Sequence, residues 1–92
     1  MIDLAGVLSR TDTLILVTGR YCHLCEHGRQ VLARLGVGVG VGAREVDVDG
    51  DEAASLAARG VPLSFLPVLT DGARVIAYGR FSERRLRKEL EL

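Results

Sequence analysis

The chain has 92 residues, 48% of them apolar, with 12 Lys and Arg set against 12 Asp and Glu. This length suits one compact domain, read here as residues 1–92, and the apolar share is enough for a packed core. The even charge balance argues against nucleic acid or an anionic membrane surface as the main partner, and no apolar run approaches the roughly 18 residues of a membrane span.

Residues 1–13 carry Asp3, Arg10 and Asp12 and lack a basic start followed by a long apolar stretch. No secretory signal is therefore expected. The expected location is the cytoplasm, where thiols are kept reduced, and the chain is read as a monomer. The run Thr13-Leu14-Ile15-Leu16-Val17-Thr18 is β-branched and continuously apolar, which predicts a buried central strand. Gly19-Arg20-Tyr21 follows as a turn. From Cys22 a helical pattern begins, with Leu24, Gly28, Val31, Leu32 and Leu35 on one face and Gly36 as its stop. Gly28 on the apolar face suggests a close approach to the sheet.

The alternating Gly36 to Gly42 stretch is read as a loop, and Ala43 to Val48 as the next strand. Val46 and Val48 have the opposite parity to Val37, Val39 and Val41, so one continuous strand would split these residues between two faces. Asp49-Gly50-Asp51-Glu52 supplies caps and first-turn acids for a short helix, Glu52 to Arg59, ended by Gly60. Val61 to Leu66 is a loop. Pro67 to Thr70 is a strand, Asp71-Gly72 a hairpin turn, and Arg74 to Tyr78 the return strand. Ser82 caps a last helix, with Glu83 in its first turn and Leu86 and Leu90 as its apolar pair. A helix joins the first two strands, so they pair in parallel; a tight turn joins the last two, so they pair antiparallel.

Cys22 and Cys25 are the only cysteines. Residues three apart on a helix share a face, and their Cα separation falls within the disulfide range of about 4.4–6.8 Å. The two can therefore close a bond without unfolding anything. Cys22 stands at a helix N-terminus, where backbone N–H groups and the macrodipole favour an anion. A free thiol with a pKa of about 8.5 is only a few per cent thiolate at pH 7, and lowering it by about 2 units takes roughly 2.7 kcal/mol. A helix end supplies at most about 2 kcal/mol. Arg20 and His23 are the nearest candidates for added positive charge.

This order of elements, with Cys22-His23-Leu24-Cys25 between the first strand and first helix, resembles the thioredoxin fold as glutaredoxins use it. It is most similar to a glutaredoxin-like family of small bacterial proteins with a C-x-L-C site. The resemblance rests on Cys22-His23-Leu24-Cys25-Glu26, Glu45-Val46-Asp47-Val48-Asp49, Leu66-Pro67-Val68-Leu69 and Gly79-Arg80-Phe81, and spans about residues 13–92. It implies a thioredoxin-like α/β fold, β-α-β-α-β-β-α, with a four-stranded mixed sheet in order 2-1-3-4 and helices on both faces. It implies a cis peptide bond before Pro67, facing the cysteines, and a Leu66 backbone that pairs with a bound partner. The implied activity is thiol–disulfide exchange, with Cys22 attacking and Cys25 resolving.

Two departures bear on the partner. His23-Leu24 replaces the Pro-containing dipeptides found between the cysteines of glutaredoxins and thioredoxins. The Gly-Gly turn that helps glutaredoxins hold glutathione is reduced to Gly79 followed by Arg80. Gly79 and Arg80 are therefore candidates for binding a thiol cofactor, and solvated Arg is the plainer reading. No tightly bound cofactor is expected. The reductant is left open between glutathione, another low-molecular-weight thiol and a flavoenzyme reductase. The substrate is left open between a disulfide-containing protein and a small thiol.

The plainer readings stand beside these. Tyr21 is read either as part of a substrate groove or as a partly buried packing residue. His27 is read as a surface residue, Phe65 and Phe81 as core or rim, and Asp47 and Asp49 as strand-end and capping groups. His23 and His27 lie too close to the cysteines on one helix start for all four to converge on a metal, so no metal is expected in a monomer. Two competing functions remain: a non-catalytic binding module on the same scaffold, and a metal or iron–sulfur carrier using the cysteines of two chains.

Overall fold

The apolar run Leu14–Thr18 becomes β1, buried along its whole length. A strand with no polar face must be covered on both sides, and that requirement sets the architecture. The computed structural model describes residues 14–37 and 43–92. The readings made for residues 1–13, and for the part of the loop over 38–42, lie outside the described residues.

β2 (Ala43–Asp47) pairs in parallel with β1. β3 (Val68–Thr70) runs antiparallel to β1, and β4 (Val75–Tyr78) antiparallel to β3. The sheet order is β2-β1-β3-β4. Leu14 and Leu16 face one layer, together with Val31 and Leu32 of α1 (His23–Arg34), Phe81, and Leu86 of α3 (Glu83–Glu89). Ile15 and Val17 face the other, with Ala53 and Leu56 of α2 (Asp51–Ala58) and Val61. The architecture is therefore α/β, a four-stranded mixed sheet in order 2-1-3-4 with helices on both faces. Burying each such Leu or Val contributes about 1.5–3 kcal/mol. No helix among the described residues is long and apolar enough to cross a membrane.

The opposite parity of the valines has a structural counterpart. Val37 belongs to the α1 layer, whereas Val46 and Val48 pack against the α2 layer. The two glycine stops work alike. Gly36 (φ +79°) lets Val37 donate to Leu32 O at 2.8 Å, and Gly60 (φ +97°) lets Val61 donate to Leu56 O at 3.0 Å. In each case a left-handed residue turns the next side chain back into the core beside its acceptor.

Two local expectations need correction. Asp49 does not cap α2. Its N-cap is Gly50, with no side-chain cap bond, and Asp47 Oδ1 instead accepts from the Asp49 N–H at 2.8 Å. The hairpin is also wider than Asp71-Gly72 suggests, because β4 starts at Val75 and a register shift falls between Leu69 and Thr70. Side chains hold this longer turn. Asp71 Oδ1 accepts from the N–H groups of Ala73 and Arg74, and Thr70 Oγ1 donates to Arg74 O at 2.6 Å. Such local bonds compete with a two-residue turn.

Gly28 brings α1 close to its neighbours. A Cβ there would stand 3.1 Å from both Pro67 Cγ and Phe81 Cε2, inside the roughly 3.5–4.0 Å optimum for packed carbons. Gly28→Val is expected to destabilise the fold by about 1–3 kcal/mol through overpacking. A lower urea midpoint at unchanged slope would show it.

Candidate functional site

β1 ends at Thr18, and the chain turns through Gly19–Tyr21 into α1. Tyr21 adopts φ +54°, the left-handed region that non-glycine residues seldom occupy. Cys22 follows as the N-cap of α1 in extended conformation, and its Sγ accepts from the Cys25 N–H at 3.1 Å. Serine or aspartate usually fills this position with an oxygen acceptor. A sulfur in that place lies where the orphan N–H groups of the first turn solvate negative charge.

Cys22 and Cys25 are joined as a disulfide, with Cα atoms 5.2 Å apart. Their surroundings differ. Cys22 is partly open to solvent, whereas Cys25 is 1% exposed. A reagent in solution therefore reaches the outer sulfur first.

The Leu66–Pro67 peptide is cis. Pro67 is fully buried and lies against Gly28 of α1, while Leu66 lies against Gly19 in the turn before Cys22. The loop before β3 is thus packed against the segment carrying the dithiol. Gly79 closes over the other side of this loop, donating its N–H to Pro67 O at 2.9 Å, and its φ of +69° suits a glycine. Arg80 beside it is exposed.

A polar network that the sequence reading did not identify stands next to the cysteines. Arg29 of α1 donates from Nε and one terminal nitrogen to the two carboxylate oxygens of Glu45 on β2, at 2.9 and 2.7 Å. The Thr18 hydroxyl donates to the same carboxylate at 2.9 Å. The bonds from Arg29, assisted by that from Thr18, hold the Glu45 carboxyl below the usual carboxylate range against the opposing effect of burial. The Arg29 guanidinium is correspondingly raised, first of all by its bonds to Glu45. Arg29 lies seven residues after Cys22, two helical turns along the same face, but nothing in the sequence marks Thr18 and Glu45 as its partners.

Tyr21, Cys22 and His23 line one cavity of about 250 Å³ with Gly19, Glu26 and Arg29. Arg20 is exposed and does not line it. Leu66 lies against Gly19 and Pro67 against Gly28, on either side of Cys22 and Cys25 in the chain, and Gly79 bonds to Pro67. The packing role considered for Tyr21 is overturned, since its side chain is 99% exposed. Phe65 and Tyr78 are also exposed, with ring centroids 6.2 Å apart, while Phe81 alone among the aromatics joins the core. His27 is not the simple surface residue expected. Its Nε2 is shielded from solvent without a hydrogen-bond partner among the described residues. Among the described residues no group of three or more His, Cys, Asp and Glu is placed to hold a metal ion.

Two outcomes test this geometry. Because the folded pKa of Glu45 lies below its unfolded value, its contribution is full above about pH 5 and is lost progressively as the pH falls from there through the lowered folded pKa. Glu45→Gln is therefore expected to cost about 1 kcal/mol at pH 7, a modest figure because both partners are partly exposed, and less at pH 3. Urea titrations of the two proteins at both pH values measure it. In the reduced protein, iodoacetamide is expected to label Cys22 roughly tenfold faster than Cys25, and peptide mass mapping over time would resolve the two rates. Compared with known proteins, the chain matches no family model, no curated protein and no solved structure.

Proposed function

We propose that this chain is a thiol–disulfide oxidoreductase of the glutaredoxin-like, thioredoxin-fold kind, carrying electron pairs through Cys22 and Cys25. The observation that carries this reading is the asymmetry of the pair. Cys22 is partly open to solvent, with its sulfur on the first-turn N–H of α1, and Cys25 is buried one turn further in. Nucleophilic attack needs a thiolate that is both stabilised and reachable, and Cys22 meets both requirements. The resolving thiol needs proximity and shelter, which Cys25 has.

In the reducing direction the Cys22 thiolate attacks one sulfur of a substrate disulfide. A Cys22–substrate bond forms, the substrate S–S bond breaks, and the other substrate sulfur leaves as a thiolate that takes a proton from water. Cys25 then loses its proton and attacks Cys22 Sγ. The second substrate sulfur leaves, and the Cys22–Cys25 disulfide remains. The substrate has gained two electrons and the protein has lost them.

On this reading Leu66, before cis-Pro67, offers its backbone to an extended partner, and the exposed Tyr21 and Phe65 border the approach. The substrate is a disulfide-bearing protein or small molecule, and the working compartment is the reducing cytoplasm. Gly79 and Arg80 remain the position that the family resemblance marks for glutathione or another small thiol.

Cysteine replacement tests the mechanism. Cys22→Ser is expected to reduce turnover of a model disulfide protein such as insulin to background. Cys25→Ser is expected to accumulate a mixed disulfide through Cys22, visible by non-reducing electrophoresis and mass spectrometry. Normal turnover by the Cys25→Ser variant would contradict a two-cysteine mechanism.

A further inference from the structure

We propose that the exposed face of α3 carrying Arg84, Arg85 and Lys88 is a docking surface for an acidic segment of a protein partner. The proposal goes beyond the dithiol reading and does not depend on it.

α3 sorts its charges by direction. Leu86 enters the core. Glu83 is turned toward the end of α1, where it accepts from Arg34 at 2.8 Å and from Arg87 of its own helix at 3.4 Å. Glu89 lines a different cavity, with Asp71 and Arg74. Arg84, Arg85 and Lys88 are left together. All three are exposed, and with Ser82 they line one cavity of about 330 Å³. None of the three side chains makes a hydrogen bond or ion pair among the described residues.

The stability of the helix does not ask for this arrangement. Cations are favoured in the last turn of a helix and disfavoured in the first. That accounts for Lys88, but Arg84 and Arg85 directly follow Glu83, where α3 begins. Arg84 and Lys88 also stand four residues apart, a spacing at which like charges repel. A local rule broken without a compensating contact points to a binding role.

The partner's chemistry follows from charge. The net charge of the chain is zero, yet unpaired acids and unpaired cations gather in different places. The exposed Asp47, Asp49 and Asp51 lie where β2 passes into α2, and α2 covers the face of the sheet opposite α3. Such a distribution turns the molecule in a partner's field before contact, and an acidic partner meets α3. α3 shares its layer with α1, so the docked partner lies on the side of the sheet that the dithiol helix covers. Tight binding to nucleic acid commonly uses about 6–10 phosphate contacts, more than this short face provides. A second copy of the chain would have to bring its Asp47–Asp51 segment to α3 head to tail, a contact that gives rings or open chains in place of a twofold dimer.

The test is fluorescence anisotropy of the oxidised full chain with three rhodamine-labelled peptides of equal length, alternating glycine with glutamate, glutamine or lysine. No probe carries cysteine, so the outcome is separate from whether the dithiol exchanges. Each exposed ion pair is worth about two- to fivefold. At low salt the glutamate peptide is therefore expected to bind about tenfold more tightly than the glutamine peptide, and the lysine peptide more weakly than either. Salt at about 0.5 M should erase the difference. Arg84→Glu is expected to weaken glutamate-peptide binding about tenfold. It should also raise the urea midpoint, because it places an acid in the first turn, four residues before Lys88. Arg59→Glu changes the net charge equally at an exposed, unpaired position beyond α2, and should alter binding by less than about twofold. Equal weakening by the two variants would show a response to net charge alone and overturn the docking surface. A lower urea midpoint for Arg84→Glu would show that the cations serve the fold, with the same consequence. The proposal also falls if the wild type does not prefer glutamate to glutamine, if a DNA oligonucleotide of the same charge binds more tightly, or if the chain self-associates and Arg84→Glu disperses it.

Discussion

The structure depends on a strand that has no polar side. β1 is buried from Leu14 to Thr18, so a helical layer must cover each face of the sheet. The chain leaving β1 has only the three residues Gly19–Tyr21 before α1 begins. That short turn places the N-terminus of α1 at the end of the central strand, and Cys22 is the residue at that point. The position of the dithiol is thus a consequence of covering β1, and Gly28 allows α1 to lie close enough for Pro67 to pack behind it.

Within this frame the two sulfurs acquire different chemistry from their positions alone. Cys22 ends the turn and meets the first N–H groups of α1. Cys25, one helical turn on, falls on the face that enters the core. A helix N-terminus offers a modest preference for an anion, at most about 2 kcal/mol, and the ordinary thiol needs roughly 2.7 kcal/mol for a two-unit shift. The ion pair between Arg29 and Glu45 fixes the other wall of the site, joining α1 to β2 at the level of Thr18.

Elements with a strong local pattern were legible in the sequence. The unbroken apolar run of β1, the helical face ending at Gly36, and the caps of α3 all rest on interactions within a few residues. The cis bond before Pro67 was legible only through the family resemblance, because most bonds before proline are trans. What escaped the sequence depends on side chains from distant segments. Thr18, Arg29 and Glu45 are separated by up to 27 positions, and nothing local marks them as partners. The wider hairpin turn escaped because Asp71 and Thr70 bond to the backbone of Ala73 and Arg74, a choice that composition does not reveal. Tyr21 was left open between a groove and a packing role because hydrophobic patterning is silent about a residue in a left-handed turn.

The central claim is that the Cys22–Cys25 pair is exchanged in use and is not a permanent staple. Equilibration of the purified chain in defined thiol–disulfide buffers, with the redox state read by thiol-specific mass labelling, measures this directly. A reversible two-electron midpoint between about −270 and −180 mV is the expected result, the range of known exchange proteins. A midpoint below about −300 mV, where structural disulfides lie, would contradict it.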